Sequence, residues 1–490
     1  MAIDWFAIAP EIALTVTALL VLLADLNLRG DAKQLVNPLA AFGTVVAIVF
    51  TVLLWGEERT TFGTSFVVNE YAVVFKLLFL GSLLAILGIS WRFFAEGRYF
   101  QGEYYFLLLT AFIGMLIMPS ARDLLLLFVA LETVSIPAFV MAGLRKRSLY
   151  SSEAALKFFL IGVLSVALML FGISMVYGFT GTTDLAGIAA AISAAGDPEP
   201  LLLASVMLVI VGFGFKISAV PFHFWAPDTY AGAPLPVAAM LAVASKAAGF
   251  AGLIAIAFIA FEPLAEVWAP VLGVLAILTM TLGNLVALQQ RDLIRLLAYS
   301  SVAQAGYMLI PFGLARSGAD GAVVNEAAVQ AVLFYLVAYA VMNIGAFGVA
   351  IAVNRRTGLR SIADYAGLSA RSPLLAMALT VFLLSLGGAP PTVGLWAKFA
   401  IVQAALTDVT PFGVVLMVFL VFNSVIAFFY YLKVVKTMWM DEARELDVQL
   451  QPGFNLSTVV AVLMIGTVVL GVLPGLISGA TSLTSLVAAG

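Results

Sequence analysis

The chain has 490 residues, 63% of them hydrophobic and 10% charged, with 24 basic against 27 acidic side chains, one histidine and no cysteine. Without cysteine there are no disulfides, thiolate zinc sites or iron–sulfur clusters, and one histidine cannot make a bis-histidine haem or a histidine metal cluster. A net charge of −3 names no partner and gives no reason to expect nucleic acid.

Apolar runs of roughly 20 residues recur along the whole chain, each long enough to cross a hydrocarbon layer of ~30 Å. The first, Ile12 to Leu23, follows Asp4 and Glu11 without a basic residue, the wrong flank for a secretory signal, and is expected to be kept as a span. Fourteen spans are predicted, at 5–25, 36–55, 70–92, 103–119, 122–143, 150–178, 201–226, 235–260, 266–289, 292–313, 325–353, 372–404, 411–437 and 456–480. The polar connections at 179–200 and 438–455 are too short for a second domain. GFGFKI at 212–217 lacks the third glycine of a dinucleotide fingerprint and lies within a span, which argues against a nucleotide site.

Lysine and arginine set an expected orientation. With the N-terminus outside, inner loops hold Arg29, Lys33, Arg92, Arg98, Arg145, Lys146, Arg147, Arg291, Arg295, Arg355, Arg356, Arg360, Arg371, Lys433, Lys436 and Arg444, against Arg59, Arg122 and Arg316 outside. That bias predicts both termini on the non-cytoplasmic side. The five remaining basic residues are all lysines within spans: Lys76, Lys157, Lys216, Lys246 and Lys398. A buried lysine can release its proton near neutral pH, whereas arginine cannot, so this choice suits a proton carrier.

Gly212 to Gly249 combines Lys216, His223, four prolines between Pro221 and Pro236, and Lys246. Broken backbone at membrane depth is tolerated only inside protein or beside water, and ionisable groups there point to function. RDLLLLFVALETVSIPAFVMAGLRKR from Arg122 aligns without gaps on RDLIRLLAYSSVAQAGYMLIPFGLAR from Arg291. EAALKFFL from Glu153 matches EAAVQAVL from Glu326, and VPFHFW ending at Trp225 matches PTVGLW ending at Trp396. The offset covers five helices, an odd number, so the copies must lie oppositely in the membrane, an arrangement of transporters. The expected fold is an all-α polytopic membrane protein of about 14 transmembrane helices with two inverted five-helix repeats, each containing a broken helix. Residues 1–119 form N-terminal helices, the last opening the first repeat; 103–260 form that repeat, 266–437 the second, and 438–490 a loop and the last span.

The stretches HFWAPDTYAGAPLPVAA from His223, SKAAGF around Lys246, ALETVSIP around Glu132, EAALKFF around Lys157, LLAYSSVAQAGY at 296–307 and PPTVGLWAKF at 390–399 resemble the antiporter-like membrane subunits of respiratory complex I, the proton-translocating NADH:quinone oxidoreductase. That family also contains the multisubunit cation/proton antiporters. Within it the resemblance is to the subunit N branch, since the long C-terminal extension usual in subunit L is not seen and Lys398 stands where subunit M typically has glutamate. The resemblance implies outward proton movement coupled to quinone reduction, a key glutamate at Glu132, central lysines at Lys216, Lys246 and Lys398, and matching Lys157 and His223. It implies a bacterial plasma membrane location and, as partners, the lipid bilayer and other membrane-arm subunits, including antiporter-like homologues. It also implies that NAD, FMN, iron–sulfur clusters and quinone belong to partner subunits, with no cofactor in this chain. A cation/proton antiporter subunit, or a scaffold whose buried charges only hold helices in register, are the alternatives.

Glu132 should sit deep, roughly 13 Å from Asp123 and 20 Å from Arg145 at 1.5 Å per residue, unless Thr133 or Ser135 simply satisfies it. A carboxylate about 4 Å from Lys216 would favour its charged form by ~4 kcal/mol at an effective dielectric near 20, so a small displacement would switch a proton. Lys216 and His223 would share a face on an unbroken helix, but Pro221 should loosen it; a histidine packed on a backbone group is the plainer reading of His223. Lys246 should lie ~15 Å deep among small residues. Lys157 follows Glu153 by four, the order of a helical ion pair, and for Lys398 the plainer alternative to a proton site is a partly exposed lysine. Lys76 is expected to snorkel. Asp228, Tyr230, Ser300, Ser301 and Gln304 suit either a water chain or capped helix ends. Ser301 aligns with Glu132.

Overall fold

The structure is a computed structural model that describes residues 3–96, 101–196, 199–318, 321–442, 450 and 452–482. Helices α1 (Ala9–Asn27) and α2 (Val36–Leu53) precede a hairpin of β1 (Arg59–Thr61) and β2 (Phe66–Val68), then α3 (Glu70–Glu96) and α4 (Gln101–Ile117). The first repeat continues through α5 (Leu124–Ala142), α6 (Leu149–Thr180), α7 (Leu185–Ala195), α8 (Pro200–Lys216), α9 (Trp225–Gly232), α10 (Leu235–Met240) and α11 (Lys246–Ala255). The second comprises α12 (Ala265–Leu288), α13 (Leu293–Leu309), α14 (Ala322–Thr357), α15 (Leu368–Arg371), α16 (Pro373–Gly387), α17 (Val393–Thr407) and α18 (Pro411–Met440), followed by α19 (Phe454–Val472) and α20 (Gly475–Ser482).

Among the described residues, 12 spans are long and apolar enough to cross a membrane. The other two predicted crossings are the broken pairs α8–α9 and α16–α17, which together give the expected fourteen. Two boundaries differ from expectation. The polar connection at 179–200 contains α7, whose Leu185, Ile188 and Ile192 are buried, and the last predicted span divides at Leu473. Arg98, Arg444 and the loop at 443–449 lie outside the described residues.

The two copies repeat each other down to single hydrogen bonds. Asp123 caps α5 by accepting from the backbone of Leu125 and Leu126, and Asp292 caps α13 from Ile294 and Arg295. Leu124 N donates to Thr183 O and Leu185 N to Arg122 O; Leu293 N donates to Arg360 O and Ile362 N to Arg291 O. Each copy thus pins the start of its second helix to the loop that follows the next helix. Both breaks carry a cis X–Pro bond, Val220-Pro221 and Pro390-Pro391. Arg145, Arg295 and Arg360 line one cavity, and Arg122 N donates to Ser65 O in the hairpin.

Burial locates the centre of the molecule. Leu235–Ala260 is 94% buried and both Leu293–Leu314 and Ala322–Arg355 are 89% buried, against 22% for Phe454–Val472; the first three therefore form the protein-facing interior and the last borders lipid or a neighbour. Close approach in that interior depends on absent side chains. A Cβ at Gly306 would lie 2.4 Å from Met280 N, and one at Gly283 2.6 Å from Ala303 N, so α12 and α13 meet backbone to backbone.

Lys76 does not snorkel. Its ammonium is 2.8 Å from Glu11 Oε1, with side-chain exposures of 0% and 9%, and 4.9 Å from the Phe66 ring centroid. This buried pair ties α1 to α3 beneath the hairpin. Removing one partner of such a pair costs about 3–5 kcal/mol, while replacing both with apolar residues is often neutral. Lys76→Met should therefore lower the thermal stability of the detergent-purified protein sharply, and Lys76→Met combined with Glu11→Leu should recover most of the loss.

Candidate functional site

The first break begins where α8 ends at Lys216. Ile217 N returns to Phe213 O, Ser218 N to Phe215 O and Ala219 N to Gly214 O, with Ser218 at φ 61°. Trp225 Nε1 donates to Phe215 O at 3.2 Å and its ring stacks on Phe158 at 4.4 Å, which locks α9 against α6. Lys216 is 2% exposed and donates to Ser135 Oγ at 3.0 Å. Glu132 stands one helical turn before Ser135 on the same helix, and its Oε1 is buried without a partner. Thr133 and Ser135 do not satisfy it, since their hydroxyls donate to Val129 O and Leu131 O, each at 2.7 Å. Glu132 and Lys216 form no ion pair within 4.0 Å in this conformation.

Lys246 follows a π-helical segment, Leu241–Ser245, and a second one, Ile256–Ala260, closes the span. Such insertions interrupt the regular ladder and often mark functional positions. Its ammonium donates to both the carbonyl and the hydroxyl of Ser301, at 2.5 Å each.

Lys398 donates to Gly387 O at 2.6 Å and lies 4.9 Å from the Tyr307 ring centroid. It is 7% exposed, which excludes an exposed lysine. Between it and Lys246 lies a dense polar cluster. Ser300 Oγ and Tyr431 OH are 2.5 Å apart, Gln304 Nε2 donates to Leu386 O at 3.1 Å and to Tyr431 OH at 3.4 Å, and Tyr335 OH donates to Gln304 Oε1. Beside it Tyr430 OH donates to Asn284 Oδ1 at 3.0 Å and Asn284 Nδ2 to Tyr307 OH at 3.0 Å.

The supporting residues are elsewhere. Lys157 sits at the arginine-bearing face, 2.7 Å from both Glu153 and Asp228, and Asp228 also binds Arg295 at 2.8 Å. These bonds tie α6, α9 and α13 at the rim of a cavity of about 500 Å³; Lys157 makes the expected Glu153 pair and does not join Glu132 and Lys216. His223 lies in the break, 5% exposed, against Phe224 at 4.6 Å, with Nδ1 buried and unpartnered. A second cavity of about 380 Å³ beside α17 is lined by Gln330, Trp396, Gln403, Thr407, Ser478 and Thr481.

Lys216, Lys246 and Lys398 thus share one environment: buried, with the ammonium beside an interruption of regular helix (for Lys398, the end of α16), and bonded to neutral oxygens with no carboxylate in ion-pair range among the described residues. An amine so placed can gain or lose a proton without breaking a salt bridge. Sequence reasoning named these three and Ser300, Ser301 and Gln304, but passed over Tyr307, Tyr335, Tyr430 and Tyr431. In the run FFYYLK the tyrosines read as apolar bulk, and only their burial beside serine and amide partners reveals the hydroxyls as polar.

An inverted pair of five-helix units with facing broken helices and buried lysines defines the fold of an antiporter-like membrane subunit. The family model described as NADH:quinone oxidoreductase/Mrp antiporter, TM matches residues 121–427. A NADH-quinone oxidoreductase subunit N from Streptomyces griseus is 43% identical over 449 residues, covering 88% of this chain and 82% of that protein. A chain in respiratory complex I from Thermus thermophilus is 32% identical with a TM-score of 0.78, covering 97% of this chain and all of that one. The Mrp complex from a Dietzia species contains a chain with a TM-score of 0.78 at 20% identity, covering 98% of this chain and 96% of that one, a likeness of fold. This chain belongs to the antiporter-like membrane subunits, and within them to subunit N of NADH-quinone oxidoreductase, complex I.

With no native cysteine, single cysteines can be placed against a silent background. Lys157→Cys, where the native side chain is 42% exposed, should react readily with a membrane-impermeant thiol reagent from one face of the membrane. Lys216→Cys and Lys246→Cys should stay unlabelled until the protein is unfolded in detergent, which mass spectrometry of the labelled chain would check.

Proposed function

We propose that this chain is a proton-translocating membrane-arm subunit of complex I, moving protons from the cytoplasm outward through Glu132, Lys216, Lys246 and Lys398 while partner subunits reduce quinone. It would sit in a bacterial plasma membrane with both termini outside, so that the arginine-lined cavity opens to the cytoplasm and the cavity beside α17 to the exterior.

The observation that carries the reading is the pair of alternatives α5 offers Lys216. Ser135 holds the ammonium now, and Glu132 waits one turn away, about 4.5 Å along the helix axis, with an unpartnered oxygen. Moving Lys216 from hydroxyl to carboxylate would stabilise its charged form by ~4 kcal/mol at about 4 Å and an effective dielectric near 20. Moving it back withdraws that stabilisation, and desolvation expels the proton toward the hydroxyls around Ser301. Lys246, bonded to Ser301, receives it; Lys398, capping the second break, hands it to the outer cavity. His223 and the Lys157–Asp228–Arg295 cluster would guide the proton in from the cytoplasmic mouth.

In the intact complex reconstituted into vesicles, Glu132→Ala and Lys216→Ala should lower the number of protons moved per electron and slow quinone reduction, with assembly preserved. Lys216→Arg should fail in the same way, because arginine keeps the charge but cannot release it. Unchanged proton stoichiometry in all three would overturn the reading; loss of assembly in the alanine variants with normal function of Lys216→Arg would assign the lysine to structure. Sodium exchange by this chain in vesicles without NADH dehydrogenase would instead indicate a cation/proton antiporter.

A further inference from the structure

Gln304 lies one turn beyond Ser301 on α13, fully buried between the Lys246 and Lys398 sites. A carboxamide can be read in two orientations from shape alone, but here chemistry selects one. Leu386 O, at the broken end of α16, is a carbonyl and can only accept, so the group facing it at 3.1 Å must be the NH2; the amide oxygen then faces Tyr335 OH, which donates to it. The same NH2 also points at Tyr431 OH from 3.4 Å, so the Tyr431 oxygen accepts on that side and its own hydrogen is free to bond Ser300 Oγ, 2.5 Å away. Neighbouring Tyr430 is committed to Asn284.

Ser301, which holds Lys246, adjoins Ser300 in the sequence, and the Ser300–Tyr431 hydroxyl pair on that side stops at an amide N–H. Serine and tyrosine hydroxyls both donate and accept, so they can hand on a proton. An amide NH2 only donates, and relaying through it would require a high-energy tautomer. On the far side of Gln304 are Leu386 O and then Gly387 O, the carbonyl that holds Lys398.

We propose that Gln304 is an insulating gate between the two halves of the molecule, closed in this conformation, which separates Lys398 from Lys246 until its carboxamide swings clear of Tyr431. This inference rests on the lysine relay described above. The longest of the three bonds, the one to Tyr431, is the one that opens. Tyr431 can then turn its hydrogen from Ser300 toward the α16 break, and a proton taken up from the Ser300 side leaves on the Lys398 side. Gln304 is a positioning residue here, acting through Tyr431 rather than carrying the proton.

The test uses the intact complex in vesicles loaded with a pH-sensitive dye. Gln304→Glu keeps the shape but supplies a group that can carry a proton, so the gate should leak. Passive proton flux under an imposed pH gradient, without NADH, should rise about tenfold, the rate equivalent of one ordinary hydrogen bond, and protons moved per electron should fall. Tyr335→Phe removes the bond that steadies the amide oxygen and should shift both readouts the same way, less strongly; it carries the test if Gln304→Glu fails to assemble. Unchanged flux and unchanged stoichiometry in the variants, with Lys398→Ala still lowering protons per electron, would overturn the gate and leave the relay standing. Unchanged stoichiometry in Lys398→Ala would overturn the relay and the gate with it.

Discussion

Every carbonyl left open by a broken helix inside a membrane must find a donor, because no water stands ready to supply one. The end of α16 shows how completely this chain meets that demand. Leu384 O and Ser385 O accept from the backbone of Gly388 and Ala389, Leu386 O from Gln304, and Gly387 O from Lys398. A cation at a helix C-terminus is also favoured by the aligned peptide dipoles. The lysine of the proposed proton relay and the donor that the broken helix needs are therefore the same group. Lys398 is hard to remove for two separate reasons, and the break and the charge stabilise each other.

The two repeats reach this arrangement by different substitutions on one frame. At the offset of the α5–α13 alignment, Glu132 corresponds to Ser301 and Ser135 to Gln304. The first pair of positions faces Lys216, the second faces Lys246 and the α16 end. In the alignment that ends at Trp225 and Trp396, Lys216 corresponds to Gly387, so the second copy has no lysine at its helix end and caps that end from α17 instead. One half keeps a carboxylate that can bias a lysine; the other has only neutral partners. A fold that is pseudo-symmetric thus holds a charge distribution that is not, as the proposed outward movement of protons would need, since equal halves would have no preferred direction.

The crossings, the repeat and the buried lysines were legible in the sequence because the bilayer imposes them one residue at a time: runs of twenty apolar residues, prolines inside them, and charges where none are cheap. Those signals do not depend on which helix neighbours which. What stayed hidden depends on packing. Lys76 read as an interface lysine because its depth from the end of α3 is modest; its partner Glu11 is 65 positions earlier and meets it only when α1 folds against α3. Lys157 was matched with Glu153 by spacing, but Asp228 and Arg295 come from α9 and α13. The Tyr430–Tyr431 pair carries no periodic signature, and α7 is too short to stand out from a polar connection.

Deep burial is also what makes small motions consequential here. In water, a lysine that exchanged a serine for a glutamate would change its energy by about 1 kcal/mol at 4 Å, against ~4 at an effective dielectric near 20. Shielded by the close packing of α12 on α13 and by the nearly complete burial of Leu235–Ala260, a shift of one helical turn gains that larger leverage. The π segments on both sides of α11 set Lys246 in a locally irregular stretch of an otherwise tightly packed span, as is frequent at functional positions. Rigid packing around a few locally irregular segments therefore does two things at once: it keeps the ionisable groups dry enough for their surroundings to decide their charge, and it sets them where the regular backbone ladder is already interrupted.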